Sequence, residues 1–136
     1  MKERTVDAKP ESLSEIKSFV SAGLEAMGCP EEAREQLLVV ADEIFGNIVN
    51  YAYEGAAGKA TVRLEAGAEP RSVVMTFLDG GTPFNPLTMK APDTSLKARE
   101  RKIGGLGIFM VRTLTDEVTY DYADGKNIVK IRKKYG

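Results

Sequence analysis

The chain has 136 residues and, at about 150 residues per domain, predicts one domain spanning 1–136 with a single core rather than a two-domain enzyme. Hydrophobic residues at 43% and charged residues at 29% suit a folded globule and exclude a mainly disordered chain. The 19 Lys and Arg nearly cancel the 20 Asp and Glu, so a net charge of -1 gives no general attraction to nucleic acid or acidic membranes.

Cysteine and histidine narrow the chemistry further. The lone Cys29 cannot form an internal disulfide, and no apolar signal region follows Met1-Lys2-Glu3-Arg4, so a reducing cytoplasm is the expected compartment. No stretch approaches transmembrane length. With no histidine, the chain cannot carry a Ser-His-Asp triad, a Cys-His pair, a phosphohistidine or a His-ligated zinc site. Carboxylates, amides, backbone donors and Lys or Arg must do the work.

In chain order, Arg4 to Ala8 reads as a short opening strand. From Pro10, Leu13, Ile16, Val20, Leu24 and Met27 recur at helical spacing, Ser12 with Glu15 suggests a capping box, and Gly28 ends the helix. Pro30, Glu31 and Glu32 open a second helix expected to run to about Tyr53, with acidic residues at the positive end of its dipole. Thr61 to Ala66 and Ser72 to Leu78, joined by turn residues Gly67 to Pro70, predict an antiparallel hairpin. Residues 85–103 lack periodicity and read as a long loop, of the kind that is usually functional in a small domain. A short apolar helix is predicted over Ile108 to Leu114, then a second hairpin turning at Asp124-Gly125 and returning through Ile128 to Arg132. The fold class is α+β: a two-layer α/β sandwich whose sheet, mixed but mostly antiparallel, is covered on one face by about three helices.

Three clusters could carry chemistry. Glu43, Asn47 and Asn50, spaced four and three apart, share one stripe of a regular helix beside the apolar face of Leu37, Ala41, Ile44 and Ile48. Gly46, near that stripe, costs about 1 kcal/mol against Ala and hints at a close approach to the backbone. A solvated face with an incidental glycine is the plain alternative. Next, Asp79-Gly80-Gly81-Thr82-Pro83-Phe84 puts an acid at a strand end, able to accept from an exocyclic amine, while Gly81 admits a flat ring; an ordinary turn would also use Asp and Gly. Finally, Gly104-Gly105-Leu106-Gly107 opens a helix and offers unpaired N–H groups to an anion. It is neither a Walker loop nor a Rossmann fingerprint, and a flexible hinge is its plain alternative. Before it, Lys90, Lys97, Arg99, Arg101 and Lys102 outnumber Asp93 and Glu100, the sign expected of a lid over phosphates.

Together these clusters suggest a nucleotide site. Glu43-x-x-x-Asn47, Asp79-x-Gly81-x-Pro83-Phe84 and Gly104-Gly105-Leu106-Gly107-Ile108 resemble the N, G1 and G2 boxes of the GHKL ATPase superfamily. Across nearly the whole chain, the wording from Ala41 to Tyr53 and from Gly104 to Tyr120 looks most like the bacterial anti-sigma-factor serine/threonine kinases. The resemblance implies a Bergerat-type ATP-binding fold, ATP and Mg2+ as cofactors, and phosphorylation of a STAS-domain anti-anti-sigma protein in alternation with binding a sigma factor, as a homodimer.

By the same resemblance, Glu43 is the general base and Asn47 the Mg2+ ligand, with Asn50 beside it. Asp79 binds the adenine amine, Gly81 admits the ring, and Pro83 and Phe84 complete that box. Gly104, Gly105, Leu106, Gly107 and Ile108 form the phosphate-facing segment, in which Gly105 and Gly107 present backbone donors; Arg101 and Lys102 are the candidates for the γ-phosphate. Many relatives carry His four residues after the metal Asn, where this chain has Tyr51. The lack of His also fits a serine/threonine kinase better than a sensor histidine kinase. Two alternatives remain: a module that binds nucleotide only to switch partners, and a simple ATPase.

Overall fold

The computed structural model describes residues 1–88 and 103–135. Five strands form one sheet in the order β1-β2-β3-β5-β4: β1 Lys2–Asp7, β2 Lys59–Ala66, β3 Ser72–Asp79, β4 Glu117–Ala123 and β5 Lys126–Lys134. Three helices, α1 Leu13–Ala26, α2 Glu31–Asn47 and α3 Ile103–Leu114, pack beside one another in the other layer. This is the expected α+β arrangement, with one correction. Among the described residues every strand pairing is antiparallel, because α3 and β4 return the chain so that β5 runs against β3.

Alternation decides which side of the sheet meets the helices. Ala60, Val62 and Leu64 on β2, Val73, Met75 and Phe77 on β3, and Val129 and Ile131 on β5 are all buried at every second position. They meet Ile16, Val20 and Leu24 of α1 and Leu37, Val40, Ala41, Ile44 and Phe45 of α2 in one core. On the opposite face, Glu3 lies across from Arg63 and Glu117 across from Arg132, paired at 2.7 and 3.4 Å. Such exposed pairs contribute about 0–1 kcal/mol each, so the buried face supplies most of the stability.

Local chemistry sets the element ends. The β4–β5 turn uses Asp124 at φ 54° and Gly125 at φ 73°, the left-handed pair that matches the twist of a tight hairpin. Pro30 is extended and launches α2 with Glu31 and Glu32 in its first turn. The capping box expected of Ser12 and Glu15 is absent. Ser12 has helical dihedrals at the end of a 3₁₀ turn over Pro10–Ser12, and an N-cap side chain reaches back only from an extended residue. Glu15 instead pairs with Arg4 of β1 at 3.0 Å. Among the described residues, no helix is long and apolar enough to cross a membrane.

Leu37 is fully buried in this core. Leu37→Ala is expected to lower the unfolding free energy by about 2–5 kcal/mol, measured by denaturant titration. A change below about 1 kcal/mol would contradict the packing of α2 on the sheet.

Candidate functional site

The C-terminal half of α2 builds the first wall. Four-residue spacing puts Glu43 and Asn47 on one helix face; Glu43 is partly exposed, whereas Asn47 is 6% exposed. Asn47 Nδ2 is the buried side-chain polar atom without a hydrogen-bond partner among the described residues. Buried amides are almost always paired, so this orphan marks a group waiting for a ligand or a water. It lines a slot shared with Ile44, Asp79, Phe84 and Asn127 that leaves about 10 Å³ for the centre of a water.

Beyond Asn47 the helix does not continue regularly to Tyr53. It widens into a π turn over Ile48–Ala52, a distortion often found at functional sites. The extra residue per turn breaks the stripe expected of a regular helix, and Asn50 is exposed while Asn47 is buried. The π turn serves the next wall. The Ala52 carbonyl accepts from Thr82 N–H at 2.7 Å, and the Tyr51 ring stacks on Phe84 with centroids 5.0 Å apart. Tyr51 therefore packs against the second box where relatives were expected to carry a cation. Gly46 meets nothing within 4 Å of where its Cβ would be, so no close approach to it occurs among the described residues.

Asp79, the last residue of β3, is 6% exposed. Its Oδ1 accepts from Gly81 N–H and from Asn127 Nδ2, both at 2.9 Å, which leaves Oδ2 without a bond among the described residues. The next residues are clamped to the end of α2. Gly80 N–H donates to the Tyr53 hydroxyl at 2.8 Å, and that hydroxyl donates to the Lys59 carbonyl. A Cβ at Gly81 would fall 2.3 Å from the Ala52 carbonyl oxygen, so the close approach that requires glycine is made by the protein's own backbone. Pro83 is exposed in the same segment.

Sequence reasoning missed Asn127 and Tyr120. Asn127 Oδ1 accepts from Phe84 N–H at 2.9 Å and from the Tyr120 hydroxyl, while Nδ2 donates to Asp79 Oδ1 and to the Thr82 carbonyl, each at 2.9 Å. Burial, above all, raises the Tyr120 phenol above its ordinary pKa and keeps it a donor. A signal was present: Asn127 sits two and four residues before the core-facing Val129 and Ile131, and an amide in that register must find partners inside.

The third wall begins earlier than expected. α3 starts at Ile103, not at Ile108, so Gly104 and Gly105 lie in its first turn with N–H groups that the helix does not use. Gly107 lies one turn further in, where its N–H enters the helix ladder rather than facing a ligand. Its contribution is space. A Cβ there would fall 2.0 Å from Glu43 Oε2, so a larger residue would push the Glu43 carboxyl from where it now stands. Burial, and then the neighbouring charge of Asp42, raise the Glu43 carboxyl above its usual pKa. Ile108, 2% exposed, packs into the core. The backbone of Leu106 is helical, whereas Arg101 and Lys102, with Lys90, Asp93, Lys97, Arg99 and Glu100, lie outside the described residues. Of the expected lid, Pro86–Thr88 forms a 3₁₀ turn, with the Asn85 side chain accepting from Leu87 N–H at 2.9 Å.

The arrangement thus joins a partly buried carboxyl, an unpartnered amide and an acceptor oxygen at a strand end. The profile of the histidine kinase-like ATPase domain matches residues 6–133. Serine-protein kinase RsbW of Listeria monocytogenes is 32% identical over 127 residues, covering 90% of this chain and 80% of its own, and RsbW of Listeria innocua gives the same figures. RsbW of Bacillus mycoides is 24% identical, over 93% of this chain and 81% of its own. Among solved structures, the histidine kinase domain of the blue-light activated histidine kinase of Erythrobacter litoralis aligns with a TM-score of 0.50 at 15% identity, over 90% of this chain and 61% of that one. The catalytic domain of the histidine kinase ThkA aligns with a TM-score of 0.50 at 11% identity, over 99% and 98% of the two chains, and these two likenesses speak to the fold alone. The chain belongs to the histidine kinase-like ATPase domain family, and within it to the serine-protein kinases.

Proposed function

We propose that the chain is a Mg-ATP-dependent serine/threonine kinase and anti-sigma factor whose substrate is a STAS-type anti-anti-sigma protein. The observation that carries this reading is the unpartnered Asn47 amide one helical turn from Glu43, in a slot shared with Asp79. The Asp79 Oδ2 is the acceptor for the adenine amine, and the first-turn N–H groups of Gly104 and Gly105 face the phosphates. Gly81, Pro83, Phe84 and Asn50 border the nucleotide, with Arg101 and Lys102 as the γ-phosphate candidates. The orphaned Nδ2 is a donor that an acceptor oxygen of the nucleotide would satisfy, while Oδ1 of the same amide would be the atom to hold Mg2+, which takes oxygen ligands and keeps several waters. When bound, the ion neutralises charge on the phosphate oxygens.

In the transfer, Glu43 takes the proton of the acceptor hydroxyl as its oxygen bonds to the γ-phosphorus; the bond to the bridging oxygen breaks and ADP leaves. A raised pKa makes the ionised carboxylate a stronger base, at the cost that less of it is ionised at a given pH. The reading extends to a cytoplasmic homodimer that holds a sigma factor when the STAS partner is phosphorylated. Names of relatives carry the kinase part, and the partners follow from the family resemblance.

With γ-labelled ATP and a STAS-type anti-anti-sigma protein, label is expected to move to a serine or threonine. Glu43→Ala should abolish transfer and change ATP affinity by less than about threefold, since the base acts on the hydroxyl rather than on the nucleotide. Label released only as free phosphate would mean an ATPase; nucleotide-dependent partner affinity without transfer would mean a partner switch. Because a base works only when deprotonated, the transfer rate should rise with pH through a midpoint above the ordinary glutamate value. A flat profile across that range would remove Glu43 from the role. Asp79→Asn should weaken ATP binding by about 10- to 100-fold, the worth of a hydrogen bond to a charged acceptor, and unchanged calorimetric affinity would empty the proposed base pocket.

A further inference from the structure

The adenine reading leaves open what keeps Asp79 in a single orientation. A carboxylate at a strand end can turn about its side-chain bonds, and a turned Asp79 presents a different oxygen to the base. Two donors oppose this here, Gly81 N–H and Asn127 Nδ2, and both fall on Oδ1. The Asn127 amide is itself held from both ends. Its Oδ1 has two donors in Phe84 N–H and the Tyr120 hydroxyl, so its Nδ2 must face Asp79 and the Thr82 carbonyl. Asn127, 2% exposed, spends its full hydrogen-bonding capacity on the protein and has none left for a ligand.

We infer that Asn127 is the positioning residue for base selectivity, fixing Asp79 so that Oδ2 meets the ligand as a pure acceptor and a 6-amino purine is taken over a 6-oxo purine. The inference rests on the assignment of Asp79 to the base. The selection is of the strong kind: an acceptor-only oxygen facing a 6-oxo group sets two sets of lone pairs against each other with no proton between them. Without Asn127, Asp79 is free to turn, and the penalty on the oxo base falls. The same amide ties Asp79 to the backbone at Thr82 and Phe84, so the acid and the segment behind it move together.

The test is calorimetric binding of ATP and of inosine triphosphate, with magnesium, to the full chain and two variants. Asn127→Ala removes the whole amide. Asn127→Asp keeps the acceptor for Phe84 and Tyr120 but replaces the donor shared by Asp79 and the Thr82 carbonyl with an oxygen, and melting curves run on both variants separate orientation from folding. The parent protein should prefer ATP, and both variants should lower the ATP-to-inosine-triphosphate affinity ratio by about tenfold or more, the scale of one charge-assisted hydrogen bond. Variants that melt earlier but keep the parental ratio would make Asn127 a merely structural residue and overturn the inference. A parent that binds both nucleotides equally would overturn it too, while leaving the nucleotide site in place. A parent that binds neither would take the nucleotide reading down with it.

Discussion

The site depends on how the segment leaving β3 is held, for it has no regular structure of its own between Asp79 and Pro86. Its backbone is fastened on one side to the end of α2, through Ala52 and Tyr53, and on the other to β5, through Asn127. The backbone donors of Gly80, Thr82 and Phe84 all find partners outside the segment, although Gly80 and Thr82 are themselves exposed. Sheet and helix layer are thereby joined at the edge of the core where the acid and the amide face the same slot. The packing of apolar side chains brings the layers together; these few polar bonds set their register at the site.

The π turn gives a second constraint its shape. A regular continuation of α2 would commit the Ala52 carbonyl to a helix interior, whereas the widened turn ends there and frees it for Thr82. The same widening carries Tyr51 to the stack on Phe84 and turns Asn50 outward. A helix of constant pitch could not serve Asn47 and Tyr51 in this way at once.

Much of this was legible in the sequence where a single rule governs. The alternation of Val62 and Leu64, the helical recurrence of Ile16, Val20 and Leu24, and the Asp124-Gly125 turn each follow from one periodicity or one dihedral requirement, and each stands where expected. The box residues Glu43, Asn47, Asp79 and Gly81 were also readable, because their spacing survives folding. What escaped depended on contacts distant in the chain. Asn127 meets Asp79 across 48 positions, and Glu15 abandons a local cap for Arg4 on a neighbouring strand. The early start of α3 escaped for another reason: glycine-rich sequence disfavours a helix locally, so helix packing rather than propensity has to account for a first turn containing Gly104 and Gly105.

The meeting of Gly107 with Glu43 ties proton affinity to helix position. The carboxyl is shielded from water partly by the turn of α3 that rests on it, and the bare glycine allows that contact. Any displacement that lifts this turn hydrates the acid and lowers its basicity toward that of a free glutamate. The proton affinity of Glu43 is therefore a property of how two helices are seated, and the chain encodes it with a residue that has no side chain at all.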